Sequence, residues 1–383
     1  MTRIYLIRHA EAEGNLYRIA HGQYDSILTD KGWKQVAALE KRFEDKIVDA
    51  VYSSDLYRAM ATATAIFKPR GLKLQPMTQL REMCMGRWEG MPWAHLNRDD
   101  SVNMCHFNHQ PELYQVEGGE TFLQVQQRMV AAIHQIAAAH DGQAVAIVSH
   151  GAAIRTVLAA AQGMSIAEMA KLPYGENTAV SLLEVSADKI HPVFMNSASH
   201  LDADKLQTLA GQRWAQKEAG GVEQGLYFET MDLQEDGERY LFCRAEYLKS
   251  LYGHLEGFDG VGYLQEAMDL QDKFPGCVLK TSVDGEMAGL LQLYPGMGVE
   301  EGVGYIDFYY MLPPFRSQGL GGQMLGQATA FYRQMGRDKL RLLCPENNAK
   351  ALNFFERYGF GRAGQMPDGR VILQKFIGYR PLV

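Results

Sequence analysis

The stretch IYLIRHAEAEGN, residues 4–15, determines how the fold begins. Its first four residues are apolar, which favours a strand buried on both faces, as in a parallel sheet. The apolar run stops at Arg8 and His9, and small and acidic residues follow. In sheets covered by helices, chemistry takes place beyond the carboxyl ends of the strands, so this ending predicts a functional site.

Apolar runs and helical patterns alternate up to about residue 195. Their periodicity predicts strands at 4–7, 47–52, 72–76 and 144–148, helices at 34–43, 56–67, 121–139 and 152–161, and an edge hairpin at 179–185 and 190–195. This order is typical of an α/β fold in which a mostly parallel sheet is covered by helices.

A second pattern follows a stretch of polar and small residues that ends at Gly220 and Gly221. We therefore expect a first domain at 1–198, a linker with some helix at 199–222, and a second domain at 223–383. The second domain is predicted to contain strands at 226–231, 305–312 and 340–343, helices around 240–273, from 321 and at 349–358, and hairpins at 278–293 and around 368–369. Hairpins mixed with helices predict an α+β domain.

Composition narrows the function classes. The chain of 383 residues has a formal net charge of −7 and a pI near 5.9, which disfavours general nucleic-acid binding. Its five cysteines lie far apart, without the spacing of a disulfide framework or a structural zinc site. No stretch reaches the roughly 20 apolar residues of a membrane span, and no signal-peptide pattern precedes the first strand. We expect a cytoplasmic enzyme.

Three of the predicted strands end in polar residues that suit phosphoryl transfer. The first ends at Arg8 and His9, the second is followed by Arg58 one turn into a helix, and the fourth ends before His150. Two arginines can bind a phosphoryl group through bidentate hydrogen bonds, and they lower the pKa of a neighbouring histidine. A neutral His9 can then attack phosphorus, and Glu82 is the candidate proton donor for the leaving alkoxide. This set predicts phosphoryl transfer without a metal.

Five motifs, in this order along the chain, resemble the histidine phosphatase superfamily with its phosphoglycerate mutase-like fold. They are RHAEAEGN (8–15), SSDLYRAMATA (53–63), LREMCMGRWEG (80–90), GGETFLQVQQR (118–128) and VSHGAAIR (148–155). The resemblance implies that His9 forms a phosphohistidine and that Arg8, Arg58 and His150 hold the phosphate. It also implies that Glu82 is the acid and later the base. Asn15 stands where the family often has a further phosphate contact, with a plain turn residue as the alternative.

The wording of these motifs looks most like alpha-ribazole phosphatase and related small phosphomonoesterases. Hydrolysis of a small phosphorylated metabolite is therefore favoured, and a phosphoglycerate-type mutase is the alternative. Residues 91–116 are the expected lid and specificity region. Within it, CHFNH (105–109) is expected to be a mobile loop rather than a metal site, because no second ligand cluster accompanies it. The other histidines, His21 among them, show no ligand spacing and are expected to be structural or on the surface.

A second candidate site is predicted by YMLPPFRSQGLGGQML, residues 310–325. Glycines at a strand-to-helix turn expose consecutive backbone N–H groups, which can bind a pyrophosphate with help from the helix dipole. The later stretch NNAKALNFFERYGF, residues 347–360, begins a helix at an asparagine and ends it at a glycine.

Together these two stretches resemble the GNAT family of acetyl-CoA-dependent N-acetyltransferases, over about residues 222–383. The signature residues Arg316, Gly319 and Gly321 lie in the turn. The resemblance implies that the backbone around Gln318–Gly322 binds the coenzyme A pyrophosphate. It also implies that Met311 pairs with pantetheine and that Asn348 contacts the pantetheine arm.

The second site departs from its family at one position. Many members have a tyrosine that protonates the leaving thiolate, whereas this chain has Phe355. Tyr358 is expected to point elsewhere around the helix. Asp307 is either a base for the acceptor amine or an ordinary polar strand residue.

The first functional interpretation is a bifunctional enzyme that combines a metal-free phosphomonoesterase with transfer of an acetyl group to an amine. The alternative keeps the phosphatase and makes the second domain a coenzyme A-binding sensor or scaffold.

Overall fold

A computed structural model of the chain describes residues 1–208 and 225–382. The chain divides into two compact units, one with residues 1–223 and 380–383 and the other with residues 224–379. The predicted linker starts with residues that belong to the first unit, where Gln35 Nε2 donates to the Leu206 carbonyl at 2.7 Å. Residues 209–222 of that linker lie outside the described residues, so the predicted domain boundaries stay a prediction.

The first unit is a six-stranded mixed sheet with helices. Its strands are β1 (Thr2–Arg8), β2 (Ala50–Ser53), β3 (Leu74–Pro76), β4 (Ala144–Ser149), β5 (Val180–Val185) and β6 (Ile190–Ser197). Its helices are α1 (Glu13–Tyr17), α2 (Asp30–Phe43), α3 (Tyr57–Arg70), α4 (Trp93–Asp99), α5 (Ser101–His109), α6 (Phe122–Ala139) and α7 (Gly151–Ala161). The strand order is β3-β2-β4-β1-β5-β6, parallel from β3 to β1 and antiparallel at β5 and β6. The predicted α/β class is confirmed.

Burial of β1 on both faces explains its apolar run. Ile4 and Leu6 are fully buried in a cluster with residues of α6 and α7, and Ile7 is fully buried in a second cluster with residues of α2 and α3. Because successive strand residues face opposite sides of a sheet, only a continuous apolar run can fill both clusters.

Two predicted details differ in the structure. β2 begins at Ala50 rather than 47, because Ile47 is exposed and the Asp49 carboxylate accepts a 2.8 Å hydrogen bond from the Ala144 N–H. The region predicted as a lid loop contains the short helices α4 and α5. Phe107 of α5 packs against Tyr114, with ring centroids 5.3 Å apart, and this apolar packing stabilises helix in a stretch without a strong periodic pattern.

The second unit is a seven-stranded, mostly antiparallel sheet with helices. Its strands are β7 (Tyr227–Thr230), β8 (Val278–Val283), β9 (Glu286–Tyr294), β10 (Val303–Met311), β11 (Lys339–Pro345), β12 (Gly361–Gln365) and β13 (Arg370–Phe376). Its helices are α8 (Gly237–Tyr252), α9 (Gly260–Lys273), α10 (Gly321–Gln334) and α11 (Ala349–Arg357). The strand order is β12-β13-β11-β10-β9-β8-β7, and the predicted α+β class is confirmed.

The strands β10 and β11 separate part-way along the sheet. They pair in parallel only up to Ile306 and Leu342, after which β10 continues beside β9 alone. The pairing of β10 with β9 shifts register between Ile306 and Phe308, so Asp307 lies at a bulge. The separation opens a gap in the sheet beside the second half of β10.

The Gly304→Ala substitution is expected to destabilise the second unit by about 1–3 kcal/mol through overpacking. A Cβ at this position would lie 2.2 Å from Cγ of Tyr332, whose ring is fully buried and whose hydroxyl accepts from the Tyr294 N–H at 3.0 Å. Urea unfolding of the full chain measures the loss. Gly361→Ala is the matched control, because a Cβ there has no heavy atom within 4 Å. Equal stability of the two variants would contradict the packing described for β10.

Candidate active sites

Loops that carry charged side chains meet at one edge of the first sheet. β1 and β2 both pair in parallel with β4, and Arg8 lies opposite Ser149. The residues after these strands therefore lie side by side, and the ring centroids of His9 and His150 are 5.1 Å apart. Arg58 lies in the first turn of α3, directly after β2. The structure brings together the four residues that the strand endings predicted.

The His9 ring is buried, and its orientation determines which nitrogen can react. Its Nδ1 lies 2.7 Å from the Ala10 carbonyl oxygen, which can only accept a hydrogen bond. Nδ1 therefore carries the proton of the neutral ring, and the lone pair is on Nε2. The adjoining backbone is fixed as well, because Ala10 N–H donates to Thr62 Oγ1 and Asn177 Nδ2 donates to the His9 carbonyl, both at 2.8 Å.

Burial lowers the pKa of His9 well below its ordinary value of 6.5, and the positive charges of Arg58 and Arg8 lower it further. The same causes, burial first, lower the pKa of His150, where Arg58 is again the largest neighbouring charge. Both rings are therefore neutral at pH 7. A neutral His9 with its lone pair on Nε2 is a competent nucleophile.

Arg58 is fully buried and is held by backbone carbonyls. Its Nη1 donates to the Tyr24 carbonyl at 3.0 Å, and its Nη2 donates to those of His21 at 2.9 Å and Gly22 at 2.5 Å. Carbonyls satisfy the donors without neutralising the cation. The ion pair with Asp25 is long, at 3.8 Å.

Several donors of this site have no partner within the protein. In residues 1–208 and 225–382, the buried Nε of Arg8, Nε of Arg58 and both ring nitrogens of His150 make no hydrogen bond. Buried polar groups are normally paired, so a group of unpaired ones next to His9 indicates a site for a ligand that accepts hydrogen bonds. Because two positively charged guanidinium groups are present, the ligand is expected to be an anion.

Glu82 lies at the N-terminus of α7, the helix that follows His150. Its Oε1 accepts from the N–H groups of Met83 and Ala153 at 2.9 Å, and its Oε2 accepts from that of Ala152 at 3.0 Å. These donors hold the carboxyl group at the start of α7, close to His150, the residue that precedes this helix. The position suits a residue that exchanges a proton with a substrate.

Glu120 and Arg128, which belong to one of the sequence motifs, have a structural role that the sequence did not reveal. Arg128 donates to the carbonyls of Arg81 and Glu82 at 2.8 and 2.9 Å, and it pairs with Glu120 at 2.7 Å. Glu120 also accepts from the Cys84 N–H at 2.8 Å. This pair therefore fixes the backbone on both sides of Glu82.

Two further side chains adjoin the site. Asn15 Oδ1 accepts from the Ala12 N–H at 3.1 Å and closes the first turn of α1, which is the role of a turn residue. His21 was not predicted, yet its ring lies edge-on to His9 with centroids 5.7 Å apart, and burial and Arg58 lower its pKa well below 6.5. A sequence signal for His21 was not available, because it comes from a loop without periodic pattern. The His21 ring packs directly against Gly14, where a Cβ would lie 2.2 Å from the ring.

The second half of β10 presents backbone groups on the side away from β9. Leu312 N–H donates to Ala288 on the β9 side, so the carbonyl of Met311 in the same peptide unit faces the gap. Arg316 Nε donates to that carbonyl at 2.7 Å, and its guanidinium stacks on Tyr310 with its Cζ 5.1 Å from the ring centroid.

The turn before α10 has the backbone geometry of an anion cradle. Gly319 has a φ of +81°, which favours glycine. Gly321 and Gly322 form the first turn of α10, and Gln318 Nε2 donates to the Pro314 carbonyl at 2.7 Å. The Gln323 N–H already donates to the Leu320 carbonyl at 3.0 Å, so the N–H groups of Gly321 and Gly322 are the ones that a diphosphate would bind here. The residues present therefore fit the group that the resemblance implies.

The residues around α11 differ in part from the expectation. Phe355 is buried and packs against Tyr309 and Phe360, with ring centroids 5.3 and 5.5 Å away. Tyr358 is near the cradle, since a Cβ on Gly322 would lie 2.4 Å from its hydroxyl oxygen. The Tyr358 hydroxyl therefore lies beside Gly322, whereas the Phe355 ring packs against Tyr309 and Phe360.

Asn348 and Asp307 already have partners in the protein. Asn348 Oδ1 accepts from the Ala351 N–H at 3.2 Å and caps α11. Asp307 Oδ2 accepts from Arg244 Nη2 at 2.7 Å, and the Arg244 guanidinium lies 4.2 Å from the Phe308 ring centroid. Asp307 remains partly exposed at the bulge of β10.

Comparison with known proteins agrees with this geometry. Residues 4–198, about half of the chain, match the histidine phosphatase superfamily (branch 1). The chain belongs to the histidine phosphatase superfamily. Residues 238–360 match the acetyltransferase (GNAT) family, so the second unit is a GNAT domain. Both predicted resemblances are confirmed.

Several relatives are similar to the histidine phosphatase domain. A metal-independent phosphoserine phosphatase of Arabidopsis thaliana is 35% identical over 164 residues, which cover 41% of this chain and 67% of that protein. The solved structure of Bacillus stearothermophilus YhfR is 34% identical with a TM-score of 0.51, and the match covers 53% of this chain and 100% of that one. An alpha-ribazole phosphatase of Shigella flexneri is 26% identical with a TM-score of 0.47, over 51% of this chain and 96% of that one.

Two kinds of feature are absent from the described residues. In residues 1–208 and 225–382, no group of three or more histidine, cysteine, aspartate or glutamate side chains is placed to bind a metal ion. No helix in these ranges is both long and apolar enough to cross a membrane.

The three active-site histidines of the phosphatase domain are expected to make it less stable in acid. Below pH 6.5 the unfolded chain binds protons at these residues, whereas in the folded domain the lowered pKa values of His9, His21 and His150 prevent protonation. The free energy of unfolding therefore falls as the pH drops below 6.5, by about 1.4 kcal/mol per pH unit for each histidine, until the folded pKa is reached.

The measurement is urea unfolding between about pH 7 and pH 5, followed by tryptophan fluorescence. Trp33, Trp88 and Trp93 lie in the described part of this unit, and the described part of the second unit contains no tryptophan, so the fluorescence change follows unfolding of the first unit. His95 and His200 of the same unit contribute as well, because burial lowers the pKa of each to about 4. His21→Gln should therefore remove about one fifth of the histidine-dependent slope, and His191→Gln, at an exposed position of β6, should leave it unchanged. A slope that is the same in all three proteins would contradict the neutral state of the buried His21.

Proposed function

We propose that the chain is a bifunctional enzyme: a metal-free phosphomonoesterase that works through a phosphohistidine at His9, joined to an acetyl-CoA-dependent N-acetyltransferase. The observation that supports the first activity is the neutral His9 ring, with its lone pair on Nε2, next to unpaired buried donors of Arg8, Arg58 and His150. A tetrahedral phosphoryl group accepts from such donors while Nε2 attacks it.

The first step forms a bond between His9 Nε2 and phosphorus and breaks the bond between phosphorus and the substrate oxygen. Protonated Glu82 gives its proton to the leaving alkoxide, so the alcohol leaves neutral. In the second step the Glu82 carboxylate takes a proton from water, the resulting hydroxide forms a bond to phosphorus, and the bond between phosphorus and His9 Nε2 breaks. Inorganic phosphate is released and the His9 ring returns to its neutral state. Arg8, Arg58 and His150 stabilise the phosphoryl charge in both steps, and Asn15 adjoins them.

O-Phosphoserine is the first substrate to test. Relatives of this chain carry the name phosphoserine phosphatase, among them the metal-independent protein that is 35% identical. Other small phosphorylated metabolites follow in the same screen. A mutase is the alternative reaction, and 3-phosphoglycerate separates the two, because a phosphatase releases phosphate whereas a mutase yields an isomer.

His9→Ala is expected to lower phosphate release by at least about a thousand-fold, because no other group at this position can take the phosphoryl group. Coenzyme A binding should persist in this variant. His191→Ala, at an exposed position of β6, is the matched control and should keep full activity. Brief incubation with radiolabelled substrate followed by alkaline denaturation should trap label on the wild-type chain only. Retained hydrolysis in His9→Ala would refute the covalent step.

The second activity is supported by the cradle before α10 and the gap beside β10, which suit coenzyme A. Acetyl-CoA supplies the acetyl group when it is bound there, with Gln318–Gly322 at the pyrophosphate, and with Arg316, Met311 and Asn348 beside them. Asp307 is the candidate group that takes a proton from the acceptor amine. Its pairing with Arg244 holds the carboxylate at the bulge of β10.

The competing interpretation makes this domain a coenzyme A-binding sensor or scaffold. Phe355 favours it, because its ring is part of an aromatic cluster with Tyr309 and Phe360 and has no proton to give. A thiolate is nevertheless a tolerable leaving group, so the departure weakens the transfer without excluding it.

Phe355→Tyr is expected to raise the release of coenzyme A from acetyl-CoA by roughly tenfold in the presence of an acceptor, because it supplies a general acid. A panel of primary amines, read by thiol release, measures the effect. Phe331→Tyr, on α10, is the control that adds a hydroxyl elsewhere. Binding of coenzyme A without thiol release in either variant or the wild type would favour the sensor.

A further inference from the structure

Glu89 binds two separate segments that border the phosphatase site. Its Oε1 accepts from the N–H groups of Gln23 and Met85 at 2.8 Å, and its Oε2 accepts from that of Tyr24 at 2.6 Å. The first segment is the loop that leads from α1 towards α2, and the second follows Glu82. One carboxylate therefore fixes both segments, and none of these hydrogen bonds involves a group that touches substrate in the proposed reaction.

The loop at residues 21–24 also holds Arg58. Its carbonyls at His21, Gly22 and Tyr24 accept from the Arg58 guanidinium. The loop thus binds Glu89 through its N–H groups and Arg58 through its C=O groups. Since Arg58 is fully buried, water cannot replace a carbonyl that moves away.

Gly22 shows how closely the loop and Glu89 fit. A Cβ on this residue would lie 2.3 Å from the Met83 carbonyl oxygen and 2.5 Å from Glu89 Oε1. Only glycine allows the loop to approach the carboxylate so closely. The spacing between loop and carboxylate therefore sets where the loop carbonyls lie, and with them the guanidinium.

The negative charge of Glu89 also favours Arg58 in its charged form. Burial is the largest effect on Arg58 and lowers its pKa, while the carboxylates of Asp25, Glu82 and Glu89 favour its charged form. Glu89 contributes negative charge without contacting the guanidinium. The Arg58 donors consequently stay available for the carbonyls and for a phosphoryl group.

We propose that Glu89 is a positioning residue for phosphate binding: it fixes the loop at residues 21–24 so that the Nε of Arg58 faces the phosphoryl group. This inference rests on the proposed phosphatase function. It assigns a task to the glutamate of GRWEG, residues 86–90, which the reaction itself does not use.

The test is binding of inorganic phosphate and of orthovanadate to the intact chain, measured by calorimetry without turnover. Glu89→Gln keeps the size of the side chain, yet it turns one acceptor into an NH2 group that faces a backbone N–H. We expect both anions to bind at least about tenfold more weakly, and kcat/KM for a phosphomonoester to fall by about 10- to 100-fold. Gly22→Ala should have the same effect through steric displacement, and it serves as the second variant if one of the two fails to fold.

Two comparisons separate positioning from general support of the fold. Glu120→Gln removes the carboxylate that pairs with Arg128 and fixes the Glu82 segment, so it should lower kcat and leave anion affinity close to that of the wild type. In an Arg58→Met background, Glu89→Gln should add little further loss of anion affinity, because effects that act through one group are not additive.

Each other outcome overturns the proposal. Unchanged phosphate and vanadate affinity in Glu89→Gln and Gly22→Ala would do so, as would an equal loss in Glu120→Gln or a full further loss in the Arg58→Met background. A wild-type chain that binds phosphate but hydrolyses no phosphomonoester would refute the proposed activity alone. A wild-type chain that binds neither anion would refute both.

Discussion

The first site depends on one constraint: the His9 ring must stay uncharged while it lies beside two buried arginines. Two positive charges about 5 Å apart repel by roughly 3 kcal/mol at an effective dielectric constant of about 20. Protonation of Nε2 is therefore opposed by the same field that attracts a phosphate dianion. The Ala10 carbonyl completes the constraint, because it binds the proton on Nδ1 and leaves the lone pair on Nε2. The positive charges of the two arginines therefore explain both the neutral state of His9 and the attraction of the site for an anion.

The positive field at His9 depends on which groups hold Arg8 and Arg58. Arg58 is held by three carbonyls and Arg8 by the Gly175 carbonyl at 2.6 Å, and a carbonyl leaves the positive charge intact. Arg128 shows the opposite arrangement, since it pairs with Glu120 at 2.7 Å and its remaining donors bind backbone carbonyls. The carboxylate offsets the positive charge of a paired arginine, so such an arginine attracts an anionic ligand only weakly. Its role here is to fix the backbone. The partner of each arginine thus separates those that suit substrate from those that support Glu82.

The sequence predicts the parts of the site that follow regular elements. His9, Arg58 and His150 could be found because each follows an apolar strand, and parallel pairing brings strand ends together. His21 could not, since it comes from a loop without periodic pattern. Glu89 could be recognised only as part of a motif, because the backbone N–H groups that it binds leave no trace in the side-chain pattern. The helices α4 and α5 were missed for a similar reason: tertiary packing of Phe107 and Tyr114 stabilises them, and local propensity does not. Glu120 and Arg128 could be recognised as part of a motif, but their task became visible only from their contacts.

The two proposed reactions have different leaving groups, and this difference explains why a missing acid would matter less in the second. In the first, the leaving group is an alkoxide, and the conjugate acid of such a group has a pKa near that of water, about 15.7. Expulsion of an alkoxide needs a proton, so Glu82 is essential to the proposed reaction. In the second, the leaving group is a thiolate, whose conjugate acid has a pKa of about 8.5. A thiolate can leave unprotonated at neutral pH, so in the proposed acetyl transfer Phe355 in place of a tyrosine would lower the rate without preventing the reaction. Replacement of the acid by an apolar residue would therefore abolish the first proposed reaction and only slow the second.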